Sequence, residues 1–151
     1  MKIEDTLAFL LGRWELSRSY TDHRSGTNGT FRGEAVLTVT RSGDAAGGLA
    51  RAQYEETGEL CFGSYRAPAS RSLEYRQQAD GTVMLYRPGA QPYIELDLVS
   101  GVARASHPCG ADHYETSVVV QSRDVVEEHW RVRGPDKDYT AVTVMRRVTE
   151  P

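Results

Sequence analysis

Lysine is nearly absent from this 151-residue chain: of its 18 basic residues only Lys2 and Lys137 are lysines, and the rest are arginine. Such a bias is what a GC-rich bacterial genome produces, and it singles out Lys137, the one lysine away from the start. Cysteine is scarce too. Cys61 and Cys109 are too few to staple a chain of this size, which predicts free thiols and a reducing, cytoplasmic setting. No run of about 20 apolar residues occurs, so no membrane-spanning helix is expected. The opening MKIEDTLAFLLGRW is not expected to act as a signal peptide, because Leu7 to Leu11 is short, an acidic pair precedes it and no small-residue cleavage site follows. A basic excess is missing as well. The formal net charge of −3 argues against a nucleic-acid partner, which calls for a basic face. Repeats, low-complexity tracts and linkers are lacking, which predicts a single domain over residues 1–151.

What remains is an ordinary globular composition, 39% hydrophobic and 26% charged, with enough chain for a real core. Asp5 is placed to cap a short helix that runs to Leu11 and stops at Gly12. The period then changes from helical to two. Trp14, Leu16, Arg18 and Tyr20 alternate with polar residues, as do Phe31, Ala35, Leu37 and Val39 in the run to Thr40. Shorter runs follow at Leu49–Glu56, Glu59–Tyr65, Ser72–Gln78, Val83–Tyr86, Tyr93–Leu98 and Val102–His107. Tyr114–Gln121, Val125–Arg133 and Tyr139–Arg147 end the chain. Asp80-Gly81, Ser100-Gly101 and Gly134-Pro135 supply turns. About ten strands joined by hairpin-length links predict an all-β fold: a single antiparallel up-and-down β-barrel of eight to ten strands, its edges removed by closure, with the N-terminal helix plugging one end.

Polar chemistry concentrates in three places. The segment His107-Pro108-Cys109-Gly110-Ala111-Asp112-His113-Tyr114 packs five reactive side chains into a strand connection. As a metal site its spacing is not a zinc pattern and no second cluster supplies further ligands, so no metal is expected. A thiolate at Cys109 beside a histidine, an acid/base or ligand-anchoring group at a barrel mouth (His107, Asp112, Tyr114), and a self-satisfied structural turn all remain open. The second place is Trp130 to Tyr139, where Lys137 lies between Asp136 and Asp138. A lysine where arginine was available suggests a compact ammonium used as a buried contact, an anion anchor or a Schiff base. The third is the lumen. Alternation turns Arg18, Tyr54, Glu56, Tyr75 and Trp130 inward, lining it with polar and aromatic groups, although Arg18 and Glu56 could equally form a buried structural bridge.

Gly12-Arg13-Trp14 behind a short helix resembles the entry of calycin barrels such as lipocalins and fatty-acid-binding proteins. Leu11-Gly12-Arg13-Trp14 with Arg18, Tyr54-Glu55-Glu56-Thr57-Gly58, His107-Pro108-Cys109 with Asp112 and Tyr114, and Trp130 with Gly134-Pro135 and Lys137-Asp138-Tyr139 together resemble an uncharacterised bacterial family of calycin-like domains. That resemblance implies a lipocalin-like barrel and no established activity. No proximal-histidine motif of the heme-binding nitrobindin type is matched, and no cofactor is expected. The expected function is binding of a small organic molecule, planar or carboxylated, by a monomer or homodimer, with a possible acid/base step such as cyclisation, isomerisation or dehydration. In that reading Arg18 and Lys137 anchor an anionic oxygen, while His107, oriented by Asp112, moves a proton and Tyr114 or Tyr139 assists. Tyr54, Glu56, Tyr75, Cys109 and Trp130 complete the wall. The alternative is a noncatalytic carrier, sensor or interaction barrel.

Overall fold

Ten antiparallel strands follow one short helix in the computed structural model, which describes residues 1–44 and 48–149. The helix α1 (Thr6–Leu10) leads into β1 (Gly12–Asp22), β2 (Asn28–Arg41), β3 (Arg51–Phe62), β4 (Tyr65–Gln77) and β5 (Val83–Arg87). After them come β6 (Gln91–Leu96), β7 (Val102–Cys109), β8 (Asp112–Ser122), β9 (Val125–Arg133) and β10 (Asp138–Arg147). Their order in the sheet is β6-β5-β4-β3-β2-β1-β10-β9-β8-β7, so every neighbour is a sequence neighbour except β1 and β10, which join the chain ends. The sheet curls into a nearly closed barrel, as the patterning predicts. Its two edges, β6 and β7, face each other across a seam with no ladder between them. The strand prolines respect this layout. Pro92 and Pro108 sit on the two edge strands, and Pro68 lies in the part of β4 beyond its pairing with β5, where a missing N–H breaks no ladder.

The helix closes one end. Asp5 accepts a hydrogen bond from the Ala8 amide, and the buried Thr6 hydroxyl accepts one from the Leu98 amide, tying the helix to the β6–β7 connection. Gly12 has φ +114°, a conformation that a side chain would strain, and it swings the chain from helix into β1. Trp14 lies beneath the plug and donates from its indole to the Leu10 carbonyl at 2.8 Å. Arg147, from the far end of the chain, stacks over Trp14 at 4.2 Å and donates to the carbonyls of Phe9 and Leu11. A helix of five residues has almost no internal hydrogen bonds to spare, so these outside donors satisfy its last turn. Ile3, Leu7, Leu10, Leu98, Val83, Val120 and Val126 fill this half of the barrel.

Two elements differ from their sequence-based outlines. The stretches Leu49–Glu56 and Glu59–Tyr65 are one strand, β3, which runs straight through Thr57 and Gly58. Gly58 pairs with Gly33 on β2, and a Cβ on Gly58 would lie 2.3 Å from the Arg32 carbonyl and 2.7 Å from the Phe31 ring. The glycine is therefore a close-contact point inside a strand rather than a break. The second difference is β4, which begins at Tyr65 instead of Ser72 and so brings Arg71 into the sheet. Among the described residues, no helix is long and apolar enough to cross a membrane.

Candidate functional site

Opposite the plug, the β1–β2, β3–β4, β5–β6, β7–β8 and β9–β10 connections surround an open end. Alternation delivers a run of inward side chains from β1: Trp14, Leu16 and Arg18 are all buried while Glu15, Ser17 and Ser19 are exposed. The first two belong to the apolar half. Arg18, further along, must meet polar partners, and it does. Its Nε donates to the Thr143 hydroxyl at 2.7 Å, and its two Nη atoms grip the Glu56 carboxylate at 2.8 and 2.9 Å. Its guanidinium also lies over the Phe31 ring at 5.1 Å, the ring that Gly58 makes room for.

Glu56 is the hub. Besides Arg18 it accepts from the Tyr54 hydroxyl at 2.8 Å and from Arg71 Nη2 at 3.3 Å. Burial alone would raise its pKa, but the hydrogen bonds of Arg18 and the charge of Arg71 hold the carboxyl at about 2. The bridge considered from sequence as the structural alternative is thus present, bidentate and buried. Tyr54 stacks on Tyr75 at 5.7 Å, and burial, with the Glu56 charge adding to it, pushes the Tyr54 phenol well up, so it remains a donor.

Above this network lies a recess of about 130 Å³ lined by Arg18, Tyr20, Arg71, Tyr93, Glu128, Trp130, Val132, Tyr139 and Ala141. Ala141 faces Trp130 across the β9–β10 ladder, and its small side chain leaves the space open. Trp130 donates to Glu128 at 2.7 Å and stacks on Tyr93 at 5.5 Å with the rings 10° from parallel. Arg71 is the unusual member. One of its Nη atoms reaches Glu56, but its Nε is buried with no hydrogen-bond partner. Its side chain is still 38% exposed. It achieves both because β5 pairs with β4 only at Glu74–Gln77, leaving the stretch with Arg71 uncovered on that side. There Arg71 and Tyr93 also line an outer cleft of about 510 Å³, with Arg87 held 4.3 Å over the Tyr93 ring. Recess and cleft therefore share these two side chains as their common wall. A further concavity of about 520 Å³, with Arg104, Glu115, His129 and Arg131 among its residues, is an open groove that includes the outward-facing side chains of β7 to β10.

The reactive segment on β7 and β8 is arranged differently from expectation. The ladder continues to the Cys109–Asp112 pair, so only Gly110 and Ala111 form the turn. His107 and Tyr114 are opposite partners on the inner face, and the His107 ring meets Tyr93 edge-on at 5.3 Å across the seam. His107 and Tyr114 thus pack against the walls of the recess rather than lining it. Asp112, expected to orient His107, instead pairs with Lys137 at 3.2 Å, and Lys137 also donates to the Tyr114 hydroxyl at 3.0 Å. Those two hydrogen bonds raise the Lys137 pKa, Tyr114 contributing first, so its amine stays an ammonium on the exposed rim. Neither a buried contact nor a free amine for a Schiff base results. Cys109 is exposed and Cys61 half-buried, both as free thiols. No three His, Cys, Asp or Glu side chains converge as a metal site would among the described residues.

Of the residues singled out by sequence, Arg18, Trp130 and Tyr139 line the recess, and Tyr54, Glu56 and Tyr75 lie in the layer beneath it. Asp112 and Lys137 form a pair on the rim. Arg71, Tyr93 and Thr143 were not singled out. Arg71 falls one residue before the predicted run at Ser72, while Tyr93 and Thr143 needed the register across the seam and the β1–β10 ladder.

Residues 10–147 match the model of a family of unknown function, DUF6314. No curated protein matches the chain. Among solved structures, the chain is similar to the S-type phycobiliprotein lyase CPES from Guillardia theta, at 11% identity and a TM-score of 0.57, covering 100% of this chain and 95% of that one. It is also similar to a redesigned β-barrel, mFAP0, solved with DFHBI bound (12% identity, TM-score 0.47, 92% and 99% covered). A protein of unknown function from the DUF3598 family of Nostoc punctiforme is similar as well (11% identity, TM-score 0.47, 94% and 48% covered). At these identities the likeness is one of fold.

Proposed function

The chain belongs to the DUF6314 family of unknown function, and we propose that it is a small-molecule-binding barrel whose ligand seats a single planar ring in the recess beside Arg71. One observation carries this reading: a buried, unpartnered Nε donor of Arg71 beside a recess walled by Tyr20, Tyr93, Trp130 and Tyr139. An orphaned buried donor costs about 1–3 kcal/mol, which an acceptor on a bound molecule would recover. The volume agrees with the chemistry. A cavity near 150 Å³ accepts a benzene-sized molecule, so 130 Å³ suits one ring, and the adjoining cleft has room for a substituent.

Binding is favoured over turnover because the groups expected to move a proton are otherwise engaged. Asp112 holds Lys137 rather than His107, and neither His107 nor Lys137 lines the recess. The anchoring role expected of Arg18 with Lys137 passes to Arg71, since Arg18 already donates to Glu56 and Thr143. A ligand-binding barrel among structures of this fold is compatible with the reading.

Ala141→Leu tests it. Three added carbons project into a 130 Å³ recess without touching the polar network. Single-ring fragments are expected to quench Trp130 fluorescence in the parent protein, and the variant is expected to stay folded and to lose that quenching. Retained quenching with unchanged affinity would place the site elsewhere.

A further inference from the structure

Resting on that reading, we infer that the recess selects a neutral planar heterocycle with an acceptor and an N–H donor on one edge, as in a lactam, over a carboxylate. The charged groups that line the recess, taken with Glu56 bonded to them from beneath, sum to zero. Arg18 and Arg71 supply two positive groups, and Glu56 and Glu128 two negative ones. At the same end Lys137 pairs with Asp112 and Arg131 with Asp138, and Arg87, over the Tyr93 ring, lines the outer cleft and not the recess. Arg18 has already committed its Nε and both Nη atoms, and Glu56 accepts four hydrogen bonds. Besides the tyrosine hydroxyls of the wall, two charged groups keep capacity to meet a ligand. Arg71 offers its unpartnered Nε–H, and Glu128, which uses one oxygen for the Trp130 indole, keeps acceptor capacity on the other. Both line the same recess. A carboxylate would satisfy Arg71 but add a negative charge beside Glu128 in a half-buried recess, where repulsion is screened less than in open water. A lactam edge satisfies the arginine with its carbonyl and the glutamate with its N–H, bringing no net charge. The aromatic walls, Tyr93 and Trp130 foremost, accept either ring, so polarity and not shape makes the choice.

The test compares 2-pyridone, benzoate and benzene, three six-membered rings, by calorimetric or ligand-observed NMR titration at pH 7. In the unmodified protein 2-pyridone should bind at least tenfold more tightly than benzoate. Glu128→Gln keeps an acceptor for the Trp130 indole, makes the recess net positive, and should move the ratio of benzoate to 2-pyridone affinity upward at least tenfold. Arg71→Gln makes it net negative and should move the same ratio downward, an independent check if either variant folds poorly. Tighter binding of benzoate than of 2-pyridone by the parent protein, or ratios unmoved in both variants, overturns the selectivity while leaving the recess as a binding site. If none of the three rings binds, the site itself is refuted and the selectivity with it.

Discussion

Glu56→Gln is the most informative single change, because the cost of losing this carboxylate has a pH signature. In the native barrel the side chain is only 4% exposed and accepts hydrogen bonds from Arg18 twice, from Tyr54 and from Arg71. A glutamine of the same shape can keep its oxygen where Tyr54, Arg71 and one Arg18 nitrogen converge. Its amide nitrogen then faces the second Arg18 nitrogen, donor against donor, at the former 2.9 Å contact. Arg18 and Arg71 are left without their shared anion. Removing one partner of a buried ion pair typically costs about 3–5 kcal/mol, a large part of the roughly 5–15 kcal/mol that holds a domain together.

The pH dependence follows from the same carboxylate. Its ordinary value is 4.5 and the folded value is about 2, so the unfolded chain takes up a proton more readily than the folded one. The stability this provides is complete above about pH 5 and is lost as the pH falls through 2, amounting to about 3 kcal/mol. Glutamine has no such proton to bind. Urea unfolding followed by tryptophan fluorescence should therefore show a gap between parent and variant of about 3–5 kcal/mol at pH 7 that narrows by about 3 kcal/mol towards pH 2. A gap independent of pH, or a variant as stable as the parent at neutrality, would refute the assignment of Glu56 as a charged hub.

Two further substitutions and one chemical modification probe other parts of the barrel. Gly58→Ala drives a Cβ to 2.3 Å from the Arg32 carbonyl and against Phe31, so urea unfolding should report a loss of about 2–3 kcal/mol, with the Arg18–Phe31 contact disturbed in the fold that remains. Arg147→Met removes the donors to the Phe9 and Leu11 carbonyls; hydrogen exchange of the Phe9 and Leu11 amides should speed up at least tenfold, while amides of β3 and β8 keep their protection. Lys137 sits on the exposed rim with its ammonium held by Tyr114 and Asp112, so reductive methylation with formaldehyde should modify Lys2 before Lys137; the reverse order would restore Lys137 as a candidate amine nucleophile.

The barrel was legible because its rule is local. A period of two from Trp14 onward, turn residues at hairpin spacing and a Gly-x-Trp entry define up-and-down strands without reference to anything distant. The errors lie where a residue type carries two meanings. Gly58 reads as punctuation until the paired Gly33 is known, and Pro68 is tolerated in β4 because that stretch has β3 on one side and no strand on the other. Both ambiguities are about which strand lies alongside, information that a single segment does not hold. The same limit explains the β7–β8 segment, which reads as a strand connection although the ladder runs on to the Cys109–Asp112 pair.

The lumen was legible in composition but not in wiring, and the wiring decides the chemistry. Alternation assigns Arg18, Glu56 and Trp130 to the inside one strand at a time, and it places Glu128 beside Trp130 on the same face. It cannot say that Arg18 is consumed by Glu56, because the two are 38 positions apart and the β1–β2 and β2–β3 registers bring them together. Nor can it show that Arg71 is the cation with a donor to spare, since that depends on β5 ending its pairing at Glu74 and leaving a gap in the wall. An inward arginine counted from sequence is therefore only a candidate anchor. The arginine that matters to a ligand is the one whose native partners fall short of its donors, and in this barrel that shortfall sits on Arg71, which lines the recess together with Glu128.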